Sequence, residues 1–477
     1  MPAPTTSEQS KADGLVSKLR QPAWHWPLAF LAAGFYAAAS LYISSHRLLW
    51  YDEIFTALLS RLPDVGTTWK ALSEAAEMIP ALYFLIARAF DQLFRHADIG
   101  IRVPSVLALS AGMLVVFDLV RRLTDGLYGL IAVSFLTTSF VIYYGCEARP
   151  YALCFLLAAV ALWLWVVTAE GSSVAAAAFG AVFLAGVAVH YYFVLCLVPF
   201  GLMALTEKRL FQRKVLAAVA GVAGAVAVLY PQIAKLRSLV HSGGDITFWT
   251  PPSLSGLQAV YLEFFPLAAV PLVLIAAGVA AFGRPRERLV TPMTSGERVS
   301  WLFLAVPLAA YCLALLVTGF FHRRYIIVAV PGMVVAAPCF FWRHGKESGV
   351  LSLALLVIFG GIGVFDELRV VRNLEQIQIY GEEQRHTRQM LALEDALRGE
   401  GKRNFAMTSG VLFLQAYYHS NHPEQYGLIR SKPPWRIAKY VPLRFLSTEQ
   451  IVANARETAL IDPPSPWLWP WKKPASI

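Results

Sequence analysis

Asp52 and Glu53 stand side by side in "LLWYDEIF" (48–55), just after a long apolar run. Trp50, Tyr51, Ile54 and Phe55 flank them, so the carboxylates are expected at headgroup depth in a partly dehydrated setting. Poor solvation favours the neutral acid and raises proton affinity, as a general base requires. Such a base would activate a hydroxyl or amine acceptor. The alternative is a solvated acidic pair that only ends a span.

Two further stretches could meet an anion. In "YYGCEARPYAL" (143–153), Glu147 and Arg149 precede an apolar run, and Pro150 suits a first helical position. Arg149 would then lie at a helix N-terminus, where backbone N–H groups favour negative charge. Either Glu147 and Arg149 pair with each other, or Arg149 and neighbours such as Tyr144 and Tyr151 bind substrate. In "FFHRRYIIVAVPG" (320–332), His322, Arg323, Arg324 and Tyr325 sit at the end of a span. Two cations there either snorkel to ordinary headgroups or hold a lipid phosphate. His190 and Tyr191 in "AVHYYF" and Glu77 before "IPALYFLIARAF" complete the substrate-binding candidates. Singly, Glu77 and His190 are ordinary structural residues. Together they are the candidates for holding the acceptor or a divalent metal ion, should one be bound.

The elements that carry these residues follow from composition. The chain has 477 residues, 57% hydrophobic and only 15% charged. Soluble domains are near one quarter charged, and the apolar runs of roughly 17–25 residues indicate a polytopic membrane protein. The net charge of +10 falls mostly between those runs, which fits topology better than a nucleic-acid groove. The five cysteines lie in or beside apolar runs with no CxxC pair, against a disulfide framework or zinc ribbon. No GxGxxG after a strand and no Walker loop points to a soluble nucleotide.

Spans are expected near 27–45, 101–120, 127–145, 150–168, 173–189, 191–206, 215–231, 259–282, 300–320, 325–342 and 349–366. Residues 1–26 form a basic cytoplasmic tail before a first span kept as a signal anchor. The basic stretches at 121–122, 207–214, 283–289 and 343–346 then face inside. Asp52, Glu147, His190, the 232–258 loop, His322–Tyr325 and the C-terminus face outside. The run 79–94 has only 16 residues and carries Arg88 and Asp91. It reads as a helix lying in the interface with Arg88 snorkelling. The domains are thus 1–26, a membrane domain at 27–366 with a first outer loop at 46–100, and an outer domain at 367–477. The last is helix-prone, then strand-like at "FAMTSG", so it reads as a small α/β domain ending in an interfacial "WLWPW".

At these residues the chain resembles the GT-C glycosyltransferases, the group of the protein O-mannosyltransferases and lipid A aminoarabinose transferases. The resemblance covers roughly 27–345 and rests on Asp52-Glu53, "PALYFLIARAF", "IRVPSVLAL", "EARPYAL", "HYY" and "RRYIIVAVPG". It implies an integral membrane glycosyltransferase with a polyprenyl-phosphate sugar donor. It also implies inverting transfer at the outer face of the cytoplasmic membrane to a lipid, glycan or protein acceptor, with Asp52 as base. Aminoarabinose transferases carry a Glu and a Lys before the interfacial helix. Here "AEMIPALY" has Glu77 but no Lys, which shifts phosphate binding to Arg323 and Arg324. The rival classes are a polytopic transporter, which needs polar breaks near the midplane of several spans, and a non-catalytic polysaccharide assembly protein.

Overall fold

The computed structural model describes residues 22–168, 171–208, 212–241, 251–282, 292–345, 349–374, 381–429 and 435–461. The "WLWPW" segment and the basic stretch at 283–289 lie outside the described residues. The chain forms two compact units, one of 1–45 with 79–372 and one of 46–78 with 373–477.

The first unit is helical, and the apolar runs read from the sequence fall on helices, although the run expected as one span at 259–282 is divided between Leu254–Glu263 and Ala269–Phe282. Among the described residues, six helices are long and apolar enough to cross a membrane: Ala23–His46, Gly100–Leu123, Arg213–Ser238, Ser295–Thr318, Arg323–Gly345 and Gly349–Arg372. Four apolar helices are shorter: Tyr151–Val167, Ser173–Val189, Tyr191–Thr206 and Ala269–Val279. The run expected as one span at 127–145 is instead Gly126–Leu136 followed by Phe140–Cys146, bent by 74°. The hydroxyls of Thr137 and Thr138 turn back onto the carbonyls of Ser134 and Phe135, both at 2.7 Å. Ser139 Oγ then accepts from Val141 N–H at 3.3 Å, and such local bonds compete with the α-helical ladder.

Two further details differ from the sequence reading. The helix Arg213–His241 runs on through Pro231 into what was expected as an outer loop. The run 79–94 does form a short helix, Ala81–Leu93, but Arg88 does not snorkel. Arg88 is 8% exposed and Asp91 wholly buried, because this face packs inside the unit instead of lying open to lipid. Asp91 is met there by His96 Nδ1 at 2.5 Å.

Small residues set the closest helix contact. A methyl group on Gly180 would lie 2.7 Å from the Ala217 carbonyl oxygen, and one on Gly221 only 2.1 Å from that of Gly180. Hydrocarbon offers no hydrophobic drive between membrane helices, so such close backbone approach supplies the packing. Charges at helix ends are gathered locally. Asp118 accepts from Arg121, Arg122 and Trp163 at 2.6–2.8 Å. Glu297 accepts from Arg343 at 2.6 Å while closing a capping box with Thr294. The fully buried Arg102 donates to the Ser44 carbonyl at 2.7 Å.

The second unit joins an early segment to the tail. The helix Tyr51–Ser60 packs on Gly410–His419, and Val65–Ser73 is capped by Asp64, which accepts from Thr67 N–H at 2.8 Å. The tail is α/β, as its pattern predicts. Strands β1 (Asn404–Met407), β2 (Tyr426–Ile429), β3 (Phe445–Leu446) and β4 (Thr458–Ile461) form an all-parallel sheet in the order β3-β2-β1-β4. Parallel neighbours need crossovers: Gly410–His419 joins β1 to β2, and Thr448–Ala453 lies on the connection from β3 to β4 at opposite edges of the sheet. The long helix Gly381–Gly399 places Glu394 beneath the Tyr426 hydroxyl, which donates to it at 2.7 Å.

Candidate functional site

In the second unit, the adjacent carboxylates part company. Asp52 and Glu53 occupy the first turn of Tyr51–Ser60, where the helix dipole favours negative charge. Glu53 is fully buried: it accepts from Arg47 Nη2 at 2.8 Å and from Trp50 N–H at 3.3 Å, which satisfies one free donor at the helix start. Asp52, one helical step round, is half-buried. The two neighbours thus differ in burial, Glu53 fixed inside the fold and Asp52 at its edge. Glu77, in the same unit, turns Oε1 back onto Met78 N–H at 2.9 Å.

In the first unit, three separate segments bring most of the remaining candidates together. Phe140–Cys146 and the following loop carry Tyr144, Glu147 and Arg149. The turn after Ser173–Val189 carries His190, and a kinked stretch at Arg323–Ala329 carries Arg323, Arg324 and Tyr325. That third segment follows a π-helical turn, Ala314–Thr318, which ends at Gly319 with φ +73°, a left-handed conformation glycine adopts at no steric cost. Tyr151 is 4.8 Å from Tyr144 and 5.8 Å from His190, ring to ring. His190 lies near-parallel to Tyr325 at 5.5 Å. Arg324 sits over the rings of Tyr151 and Tyr325 at 6.0 and 5.2 Å. Arg323 lies over Phe140 at 5.4 Å and meets the Glu263 carboxylate at 3.6 Å. Glu147, Arg323 and Arg324 all act on the Tyr144 phenol through charge.

The two histidines repeat one device. Each caps a 3₁₀ turn through Nδ1: His190 accepts from Tyr192 N–H at 3.3 Å and His322 from Arg324 N–H at 3.2 Å. A proton on Nδ1 would break either cap, so each neutral ring carries its hydrogen on Nε2. Burial, with Arg149 and then Arg324 adding repulsion, pushes His190 down to about 3. Burial and the charges of Arg324 and Arg323 hold His322 well below the usual imidazole value. The region is thus built for negative charge. A cation at His190 would face two guanidiniums, and among the described residues no group of three or more His, Cys, Asp or Glu could hold a metal ion.

Several partners escaped the sequence reading. Arg47, just past the first span, carries no local signal that it would pair with Glu53. Glu263 and Tyr192 lack a local signature. Tyr192 stacks on Tyr325 at 5.2 Å and donates to Thr318 Oγ1 at 2.8 Å. Tyr191 turns away to donate to the buried Gln232 Oε1 at 3.4 Å.

Residues 79–234 match the family model "Dolichyl-phosphate-mannose-protein mannosyltransferase". The fold is similar to that of ArnT from Cupriavidus metallidurans bound to undecaprenyl phosphate, with TM-score 0.60 and 12% identity over 93% of this chain and 94% of that one. Against the same enzyme in the apo state the TM-score is 0.60, with 13% identity over 94% of both chains. No curated protein sequence matches. The chain is a multi-pass membrane protein whose fold is similar to that of ArnT, and about a third of it matches the protein mannosyltransferase model.

Proposed function

We propose that the chain transfers a sugar from a polyprenyl-phosphate donor to an acceptor at the outer face of the cytoplasmic membrane. The observation that carries this reading is the gathering of Arg149, Arg323 and Arg324 with the neutral imidazoles of His190 and His322, beside the carboxylates of Glu147 and Glu263. Guanidiniums gathered in this way suit an anion such as phosphate, which they meet through charge-assisted, bidentate hydrogen bonds. The donor's phosphate is that anion, and the undecaprenyl phosphate bound by ArnT of similar fold supports the choice. The family match over 79–234 supports sugar transfer.

In this reading Asp52 accepts the proton of the acceptor's hydroxyl or amine as that group attacks the anomeric carbon. The bond from the sugar to the phosphate oxygen breaks with inversion, and the lipid phosphate leaves with the bonding electrons. Arginines near it stabilise the developing charge. Glu53, held by Arg47, supports the helix that carries Asp52. The outward orientation rests on the charge bias, with the N-terminus inside and the C-terminus outside.

Purified protein in vesicles, given a radiolabelled polyprenyl-phosphate sugar and a lipid, glycan or protein acceptor fraction, tests this directly. Label moving onto the acceptor is expected. Label accumulating inside the vesicles without transfer would overturn the reading in favour of a transporter.

A further inference from the structure

We infer that Trp435, in the C-terminal α/β domain, is a positioning residue for Asp52 and acts through Tyr51. The inference rests on the reading of Asp52 as the base. It gives the C-terminal domain a task in the reaction: to aim the helix that delivers the carboxylate.

The helix Tyr51–Ser60 has only ten residues. Helices that short are marginal alone, so tertiary anchors fix both its formation and its direction. Two of those anchors come from the tail and hold residues just before Asp52. Trp435 Nε1 donates to the Tyr51 hydroxyl at 2.8 Å, and His419 Nε2 meets the Leu49 carbonyl at 2.9 Å. The Trp435 ring is itself wedged. It lies 6.2 Å from Phe55 and is stacked on Phe413 at 6.2 Å and 8°. A methyl group on Gly410 would come within 2.9 Å of it. At the far end of the same helix, Arg61 Nη1 donates to the Tyr418 hydroxyl at 2.5 Å. On the other side, the Arg47–Glu53 pair closes the first turn.

Asp52 thus stands between one anchor on the preceding residue and one on the following residue, with a third on Leu49. Misplacement of a reacting group by about 1 Å can cost 10²-fold in rate. Trp435 and Tyr51 share a part-buried bond that fixes the residue immediately before Asp52. Tyr51→Phe keeps the ring and deletes that bond, whereas Trp435→Phe deletes it together with part of the indole packing against Phe413 and Gly410.

The test compares Trp435→Phe, Tyr51→Phe and the double variant in full-length protein, with thermal unfolding as a check on folding. Each single variant is expected to lower kcat by about 3- to 10-fold, the scale of one neutral hydrogen bond. KM for the polyprenyl-phosphate donor should stay unchanged, and the double variant should be no slower than the slower single one. A purely structural role would instead lower the unfolding temperature with kcat per folded molecule unchanged, and that outcome overturns the proposal. Losses that multiply in the double variant, or that fall on KM, overturn it too. Asp52→Asn run alongside separates the two readings. If it retains turnover, the base assignment fails and the positioning role with it. If it is inactive while Trp435→Phe is fully active, only the positioning role fails.

Discussion

Two pairs of adjacent like charges, Asp52-Glu53 and Arg323-Arg324, invite the same treatment and receive different ones. In the acidic pair the division is complete. Glu53 has no exposed surface and is tied to Arg47 and the Trp50 amide, while Asp52 stays half-buried. In the basic pair both members remain within one cluster. Arg323 turns towards Glu263 and Phe140, and Arg324 towards Tyr151 and Tyr325. The backbone explains the contrast. In an α-helix each residue is turned about 100° from the last, which sends one carboxylate into the packed face and leaves its neighbour at the edge. The 3₁₀ stretch after His322 turns about 120° per residue, yet aromatic rings line both directions, so both guanidiniums find a flat partner. Adjacent charges share a sequence position without sharing a role.

The strongest way to break this comparison is Asp52→Asn. With Asp52 as the base, turnover should fall by about 10²- to 10⁴-fold while donor binding and expression persist. Turnover within about threefold of wild type would move the base elsewhere, with Glu147 the next candidate. Arg47→Ala tests the buried half of the acidic pair. Leaving Glu53 uncompensated should cost about 3–5 kcal/mol, read as a large drop in unfolding temperature. A small drop would mean that the pair is not the keystone of the first turn.

The basic pair is sharpened by affinity for undecaprenyl phosphate. Arg323→Ala and Arg324→Ala should each weaken it, Arg324→Ala the more because Arg323 already faces Glu263. A charge-assisted contact of about 1.5–3 kcal/mol corresponds to roughly 10- to 150-fold. Lysine should rescue only in part, lacking the bidentate fork. Equal affinity in wild type and both variants would make these residues membrane anchors only.

The smallest effect concerns protons. His190 is held near 3 when folded but titrates near 6.5 when unfolded. Between those values the unfolded chain binds the extra proton, so stability falls as pH drops below 6.5. His322, also depressed, acts in the same sense. His190→Gln should therefore flatten the loss of unfolding temperature between pH 6.5 and 5, and the double His190→Gln/His322→Gln variant should flatten it further. An unaltered pH slope in the double variant would mean that neither ring stays neutral in the folded protein.

Hydropathy made the membrane helices legible because burial in lipid demands a long apolar run whatever its neighbours do. It is blind to what interrupts a run. The bend at Thr137–Ser139 comes from three hydroxyls in a segment that remains apolar on average. Arg88 misled for the opposite reason. A cation on a short apolar helix reads as a snorkel, and only tertiary packing turns it inward. The tail was legible as α/β from its strand-turn-helix pattern. That it folds with residues 46–78 was not, since the bond from Trp435 to Tyr51 joins positions far apart in the chain with no shared local signal. The basic and aromatic candidates of the first unit were each visible as odd residues at span ends. Their convergence depends on the π-turn and the left-handed Gly319, which no periodicity announces.

The contact at Gly180 and Gly221 bears on how freely this sequence can drift. Neither position titrates, and neither stands among the arginines and histidines of the cluster. Yet each is a place where one added methyl group meets a carbonyl oxygen well inside contact distance. In a survey of all single substitutions, these two glycines should be as intolerant as a reactive carboxylate, with alanine already harmful. Intolerance to change alone would therefore pick out the glycines together with Asp52. Only a measurement that separates the amount of folded protein from turnover per molecule would tell a packing seam from a reaction centre.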